Sequence, residues 1–292
     1  MKLKISFLLL CLSLTLVNCK QQATETPSQP ETVLKPESWI DERVEKASER
    51  LQKTEGGQII WKAMQAHGGL KQWYSNGALS FRFDYKPLDG KTRRNSYQTI
   101  DVWSSKARHQ GVSDTSQQYG WDGEKAWKKV NDSTVFPYDM RFWSLTPYYF
   151  LGQPFVFDGE GINFEKLPNT VYKNKTYHTV KITYNEGVGE APDDYYILYF
   201  GKDDYKLAVI RYIVSYPAYF KNGGHNPEKL MEIQGTTTVD GIELATGYKT
   251  FWLTEDEKAG EHITDISVSD ISFDKTVKNT YFDIPEGAEI IE

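Results

Sequence analysis

The stretch ALSFRFDYK, residues 78–86, alternates apolar and polar side chains from Leu79 to its end. Leu79, Phe81, Phe83 and Tyr85 occupy every second position, and the positions between them are polar. Side chains two residues apart point to the same face of a β-strand, so this pattern predicts a strand with one buried face and one face in water. Such strands are typical of antiparallel sheets that cover a core on one side.

The same alternation recurs along the chain between residues 78 and 273. It is found at Val180, Ile182 and Tyr184, and again at Ala208, Ile210, Tyr212, Val214 and Tyr216. Three Asp-Gly pairs lie between strand-like segments and suit tight hairpin turns: Asp89-Gly90, Asp122-Gly123 and Asp240-Gly241. We therefore predict about ten or eleven consecutive strands, which excludes the repeated helix–strand alternation of a (β/α)8 barrel enzyme.

One predicted strand changes the phase of its alternation. Ile266 and Val268 share one parity, whereas Ile271 and Phe273 share the other. A β-bulge near Ser269 would return both pairs to the same face of the sheet. Because a bulge increases the local bend and twist, this pattern indicates a strongly curved sheet.

Two helices are predicted before the first strand, near residues 38–54 and 57–67. Apolar residues recur there at helical spacing, and Ser38 begins a capping-box pattern. The pair Gly56-Gly57 separates the two helices, and Gly68-Gly69 ends the second one.

Residues 137–157, which we call the insert, interrupt the β pattern. Pro147, Gly152 and Pro154 exclude a long helix or a central strand, so we predict short helical turns. The insert carries ten large apolar side chains: Phe142, Trp143, Leu145, Tyr148, Tyr149, Phe150, Leu151, Phe155, Val156 and Phe157. A segment this apolar either plugs the open side of a curved sheet or lies exposed and binds another molecule.

The amino terminus predicts export and lipidation. Residues 1–18 have two lysines and then an apolar run too short to span a bilayer, which is typical of a signal peptide. Residues 16–19, LVNC, resemble the lipobox of bacterial lipoproteins, which implies that Cys19 is lipidated. Lys20, where some lipoproteins have Asp, favours the outer membrane. We expect the periplasmic face, with the cell surface as the alternative. Residues 19–37 are predicted to be a flexible tether that reaches about 50 Å.

Composition argues against several classes of function. The net charge of −6 disfavours nucleic-acid binding, which depends on cationic surface. The five histidines are far apart in sequence, and no cysteine follows Cys19, so no metal site, disulfide or thiol chemistry is predicted. No phosphate-binding loop, dinucleotide fingerprint or serine-nucleophile motif is present. We expect a protein that is not an enzyme, with no catalytic residues and no cofactor.

Three segments, in this order, resemble the LolA/LolB-like family of outer-membrane lipoprotein-sorting proteins. Residues 119–127, YGWDGEKAW, are similar to an aromatic Asp-Gly hairpin of that family. Residues 235–242, GTTTVDGI, and residues 281–288, YFDIPEGA, are similar to a second hairpin and to the closing segment.

This resemblance implies a mainly β fold with N-terminal helices over residues 38–292. The antiparallel sheet would be curved, unclosed and wrapped around helices, as a half-barrel. The apolar space between sheet and helices accepts acyl chains in the family. We expect a monomer that binds a lipid or other amphiphile there, through Trp121, Trp127, Phe142, Trp143, Tyr148, Tyr149, Phe150 and Phe155. The alternative is an envelope protein with a filled core that docks a partner through the insert.

Overall fold

The computed structural model describes residues 30–191 and 193–291. The predicted signal peptide, Cys19 and the first part of the predicted tether lie outside the described residues. The expectations for those segments stay predictions.

The described chain is mainly β, with short helices. The helices are α1 (Glu37–Leu51), α2 (Glu55–Ala66), α3 (Leu70–Ser75), α4 (Met140–Trp143) and α5 (Thr146–Leu151), with 3-10 turns at Phe155–Phe157 and Asn279–Phe282. The strands are β1 (Ala78–Pro87), β2 (Arg94–Asp101), β3 (Lys106–Gly111), β4 (Gln118–Trp121), β5 (Ala126–Lys129), β6 (Ile162–Tyr172), β7 (Lys175–Tyr184), β8 (Tyr196–Gly201), β9 (Leu207–Tyr212), β10 (Lys229–Ile233), β11 (Thr236–Val239), β12 (Ile242–Ala245), β13 (Gly247–Leu253), β14 (Ala259–Asp274) and β15 (Glu289–Ile291).

Thirteen strands form one antiparallel sheet in the order β15-β5-β4-β3-β2-β1-β14-β13-β10-β9-β8-β7-β6. The sheet is not closed into a barrel, and β11 and β12 form a separate hairpin. We call the sheet face that packs against α1–α3 the inner face and the opposite face the outer face. The predicted fold class, an unclosed antiparallel sheet with helices against it, is confirmed.

The alternation that predicted β1 holds in the structure. Leu79, Phe81 and Phe83 are buried in the main core cluster, which lies between the inner face and the helices. The predicted bulge in β14 is also present, because the register with β1 shifts opposite Phe81 and Asp270 has a φ of 55°. As a result, the apolar side chains on both sides of the bulge, Ile266 and Val268 before it and Ile271 and Phe273 after it, face the main core cluster.

One strand departs from the predicted parity. Ile210 and Tyr212 of β9 lie on the inner face as expected, but Ala208 packs against a second apolar cluster on the outer face. The cause is an irregularity in the ladder, since Phe200 pairs with Leu207 and Tyr199 with Val209, which leaves Ala208 unpaired.

The helix boundaries differ from the prediction at the caps. Ser38 lies inside α1, and Thr54 is the N-cap of α2, where its side chain accepts a hydrogen bond from the Gly57 backbone N–H at 3.0 Å. Gly56 and Gly57 therefore begin α2 instead of preceding it. They allow a close approach, because a Cβ on Gly57 would lie 2.2 Å from the carbonyl oxygen of Leu51.

Residues 30–36 pack against the carboxyl-terminal segment, although they were predicted to belong to a flexible tether. The Val33 N–H donates to the Val277 carbonyl at 2.9 Å, and Thr32 forms a β-bridge with Lys278. The Val33 side chain is 2% exposed in a small cluster with Ala78 and Phe282. The packed domain therefore begins before residue 38, because one apolar side chain in a polar stretch finds a buried position.

Candidate functional site

The insert occupies the space between the inner face and the helices. Its short helical elements place six side chains in the main core cluster, all of them buried: Trp143, Tyr148, Phe150, Leu151, Phe155 and Phe157. Of the two interpretations of the insert, the plug is therefore the one that the structure shows.

Trp73 of α3 contacts the insert. Its ring stacks on Phe155 with 4.7 Å between centroids and an angle of 10° between planes. Tyr148 stacks on the same ring at 6.4 Å. Trp73 is fully buried, and stacked aromatic pairs add to the free energy of burial itself. Trp73 was not among the predicted site residues, although an apolar Leu-x-x-Trp-Tyr pattern directly follows Gly69.

His109 of β3 forms a polar connection between the sheet and the insert. Its Nε2 lies 2.8 Å from the Ser144 carbonyl oxygen, its Nδ1 lies 3.1 Å from Ser96 Oγ, and its ring stacks on Tyr119. Burial lowers the pKa of His109 to about 4. The ring is therefore neutral near pH 7 and donates one hydrogen bond, which suits a structural role.

Two tyrosine hydroxyls make further polar contacts with the insert. Tyr248 donates to the Phe150 carbonyl at 3.3 Å, and Tyr149 is hydrogen-bonded to Tyr184. Burial raises the pKa of Tyr149 and of Tyr248. These hydroxyls therefore stay protonated and hold the insert by neutral hydrogen bonds.

Of the eight predicted ligand-binding side chains, four belong to the main core cluster and three are partly buried and pack against it, namely Trp121, Phe142 and Tyr149. Trp127 does neither. Trp121 and Trp127 lie on neighbouring strands. Trp127 pairs with Gly120, the residue before Trp121, so the Trp127 side chain points to the outer face. On the outer face, Arg108 lies over the Trp127 ring at 5.2 Å and over the Tyr281 ring at 4.8 Å. The assignment of Trp127 to the inner site was wrong, because the turn at residues 122–125 sets a register that gives the two tryptophans opposite parity.

Part of the insert reaches the edge of the inner space. Phe142 is partly exposed and packs against Tyr216 and Tyr219, with centroids 5.0 and 5.1 Å away. Both tyrosines belong to the connection between β9 and β10, and Tyr219 is 47% exposed. This edge, which we call the rim, is where solvent and the aromatic interior meet.

A separate cleft of about 440 Å³ lies beside α1. Its lining residues are Trp39, Glu42, Arg43, Lys46, Arg50, Trp103, Asp158, Gly159 and Glu160. Arg43 forms a two-point ion pair with Asp158, at 2.7 and 3.2 Å, and donates to the Trp103 carbonyl at 2.7 Å. Tyr74 donates to the same carboxylate at 2.7 Å. The arrangement is typical of a structural joint, because the Arg43 and Asp158 side chains satisfy each other.

Over residues 30–191 and 193–291, no group of three or more His, Cys, Asp or Glu side chains is placed to hold a metal ion. In the same part of the chain, none of the helices combines the length and apolar character needed to cross a membrane.

Comparison with known proteins gives similarity at the level of structure. No family model and no curated protein matches the sequence. A LolA superfamily protein from Nitrosomonas europaea superposes with a TM-score of 0.48 and 9% identity, over 80% of this chain and 96% of that one. A domain assigned to outer-membrane lipoprotein sorting, from Vibrio parahaemolyticus, gives a TM-score of 0.44 and 10% identity, over 84% and 97%. Both proteins are similar to this chain over most of their own length, at low sequence identity.

Proposed function

We propose that this protein is a non-catalytic lipoprotein of the cell envelope that binds an amphiphile on the inner face of its sheet. The ligand's acyl part takes the space that the insert fills in the free protein. The insert is then a displaceable plug, and not a lid over an open cavity.

One observation carries this proposal: the inner space is lined by apolar and aromatic side chains, and much of it is filled by one short segment. Ile60, Phe83 and Ile182, from a helix and two distant strands, are buried in the same cluster as the insert. An acyl chain needs a continuous apolar surface of this kind, and the insert covers that surface when no ligand is bound.

The insert has the features of a segment that can leave its site. Its residues 137–157, all within the described chain, belong to no strand, so no ladder of sheet hydrogen bonds holds them. Helices α4 and α5 have four and six residues, lengths that are unstable without tertiary contacts. Segments with few backbone constraints open locally at lower free energy than the strands beside them.

A non-catalytic role is supported by the state of the buried polar groups. His109 is neutral and hydrogen-bonded on both ring nitrogens, and Asp158 is paired with Arg43 and Tyr74. A catalytic site would be expected to present polar groups that are free to act on a substrate, whereas Asp158, although it lines the cleft beside α1, is satisfied by Arg43 and Tyr74. The proposed location is the outer membrane, through a lipid on Cys19, with the folded domain in the periplasm.

Hydrogen exchange tests the displacement directly. A ligand that adds to a preformed cavity protects the amides around it. A ligand that displaces the insert should increase exchange at amides bonded within it, such as Gly152 and Val156, while the amides of β7 stay protected. The probe is a fluorescent fatty acid at micromolar concentration. Binding without increased exchange in the insert would contradict the plug.

A matched pair of substitutions gives a second test. Phe155→Leu removes the stack on Trp73 and should destabilise the plugged state by about 1 kcal/mol, which raises apparent affinity for the fatty acid about fivefold. Phe282→Leu is the control, because Phe282 is equally buried but lies in the small separate cluster with Val33 and Ala78. Equal effects of the two substitutions on affinity would argue against displacement.

The alternative, a protein that docks a partner through the insert, is supported by the filled core. A partner would have to contact side chains of the insert at the surface, but Tyr148 and Phe150 are buried. Phe142 and Tyr149 are only partly accessible. Absence of amphiphile binding at micromolar concentration would favour this alternative.

A further inference from the structure

Lys229 lies on the inner face beside aromatic rings. It pairs with Tyr212 on β9 and Trp252 on β13, and its Nζ lies 5.5 and 5.3 Å from the centroids of those rings. Met231, two residues further along β10, belongs to the main core cluster, which fixes the direction of the Lys229 side chain. A cation over two rings gains some energy from their π-systems, but less than it gains from an anion.

The ammonium group of Lys229 has no anionic partner among the described residues. Within residues 30–191 and 193–291, no carboxylate lies within 4.0 Å of its Nζ, and no hydrogen bond from it is found. The pKa of Lys229 is lowered to about 8, chiefly by burial; Asp194 opposes this shift and Lys91 adds to it. Asp194 is itself engaged, because one of its carboxylate oxygens accepts hydrogen bonds from the Ser215 N–H at 2.6 Å and its Oγ at 2.7 Å.

Arg94 is a second cation at the border of the insert. Its guanidinium lies 5.3 Å from the Tyr85 centroid and 5.2 Å from the centroid of Trp143, which belongs to the insert. The guanidinium donates to the Thr92 carbonyl at 2.5 Å, while its Nε is buried without a hydrogen-bond partner in the described chain. A buried donor with no acceptor is costly, and an incoming anion would remove that cost.

The two cations belong to one aromatic surface. Arg94 lies over Tyr85 and Lys229 lies over Tyr212, and both tyrosines line the inner face at the main core cluster. Arg94 also lies over Trp143, whose ring contacts Phe142 of the rim. Both cations therefore lie where an apolar chain entering the inner space would leave its polar end.

We infer that the ligand of this site is an anionic amphiphile, whose carboxylate or phosphate head group is held by Lys229 and Arg94. The inference rests on the proposed function and adds to it the chemical class of the head group. The acyl chain enters the inner space that the insert, including Trp143, leaves. The anion then takes the place next to Lys229 that no carboxylate of the described chain fills.

The test compares an acid with its uncharged ester. cis-Parinaric acid, a fluorescent fatty acid, and its methyl ester are titrated at pH 7 into the Cys19→Ser chain, which lacks the predicted lipid. We expect the acid to bind at least fivefold more tightly than the ester. Lys229→Met and Arg94→Met should each reduce that preference below about twofold by weakening the acid alone, and Lys229→Arg should preserve it.

Lys181→Met is the matched control. Lys181 lies 5.0 Å over the Tyr195 ring, but it faces outward on β7, between Val180 and Ile182 of the inner face. Its removal should leave the preference for the acid unchanged. Loss of the preference in this variant would show a general effect of net charge and overturn the assignment to the rim.

The remaining outcomes separate the inference from the proposed function. Equal binding of acid and ester by the unaltered site would overturn the head-group inference and leave amphiphile binding standing. Binding of neither would overturn both. Millimolar inorganic phosphate at constant ionic strength should not displace the acid, and displacement would assign the two cations to a free anion.

Discussion

Acidification is expected to loosen the attachment of the insert through His109. The His109 ring is fully buried, and burial lowers its pKa from the ordinary 6.5 to about 4. The unfolded chain therefore binds a proton between these two values and the folded chain does not. His109 contributes fully to the free energy of unfolding above pH 6.5, and this contribution is lost as the pH falls towards 4. The loss is about 3 kcal/mol.

The assay is guanidinium chloride unfolding at pH 7, 5.5 and 4, compared between the unaltered chain and His109→Gln. Glutamine can still donate to the Ser144 carbonyl but cannot take up a proton. The unaltered chain should lose about 3 kcal/mol more than the variant between pH 7 and 4, because carboxylates titrate in both and cancel. His225→Gln, in an exposed loop, should follow the unaltered chain. Equal losses in the His109→Gln and unaltered chains would refute the reasoning.

Three further predictions concern the anchor and the core. Cys19→Ser should release the protein from the membrane fraction, and unchanged membrane partition would contradict the predicted lipidation. Ile210→Ala, at a fully buried inner position, should lower the free energy of unfolding by about 2–5 kcal/mol. Val171→Ala, at a side chain 70% exposed, should change it by less than about 0.5 kcal/mol in the same denaturant titration. Gly57→Ala should cost about 1–3 kcal/mol in thermal melts, since its Cβ would overlap the Leu51 carbonyl oxygen, and an unchanged melting temperature would contradict this contact.

The sheet was the most predictable part of the protein, because a period of two is a local signal. The alternation in β1 and the phase change at Ser269 each depend on side chains within one strand, and both were confirmed. Ala208 was misplaced because its bulge depends on the register with the neighbouring strand β8. Pairing of that kind joins residues about ten positions apart and leaves no local pattern.

The candidate site was predictable in composition but not in arrangement. The insert was recognised because ten apolar side chains cannot remain in a free loop, and most of them are in fact buried. The stacking of Phe155 on Trp73, the outward direction of Trp127 and the position of Lys229 over Tyr212 depend on contacts between distant segments. A single sequence contains no record of which distant segments meet.

The packing of residues 30–36 beside Val277 and Lys278 also limits how far the domain can move from a bilayer. If Cys19 carries the anchor, only residues 20–29 separate it from the first described residue. At the same roughly 3 Å per residue, ten residues reach about 30 Å, against the reach of about 50 Å expected for a tether that continued to Pro36. The volume that the domain can sweep around its attachment point falls with the cube of that reach, to about a fifth. An amphiphile leaving the same leaflet would thus meet a binding domain held at a high local concentration.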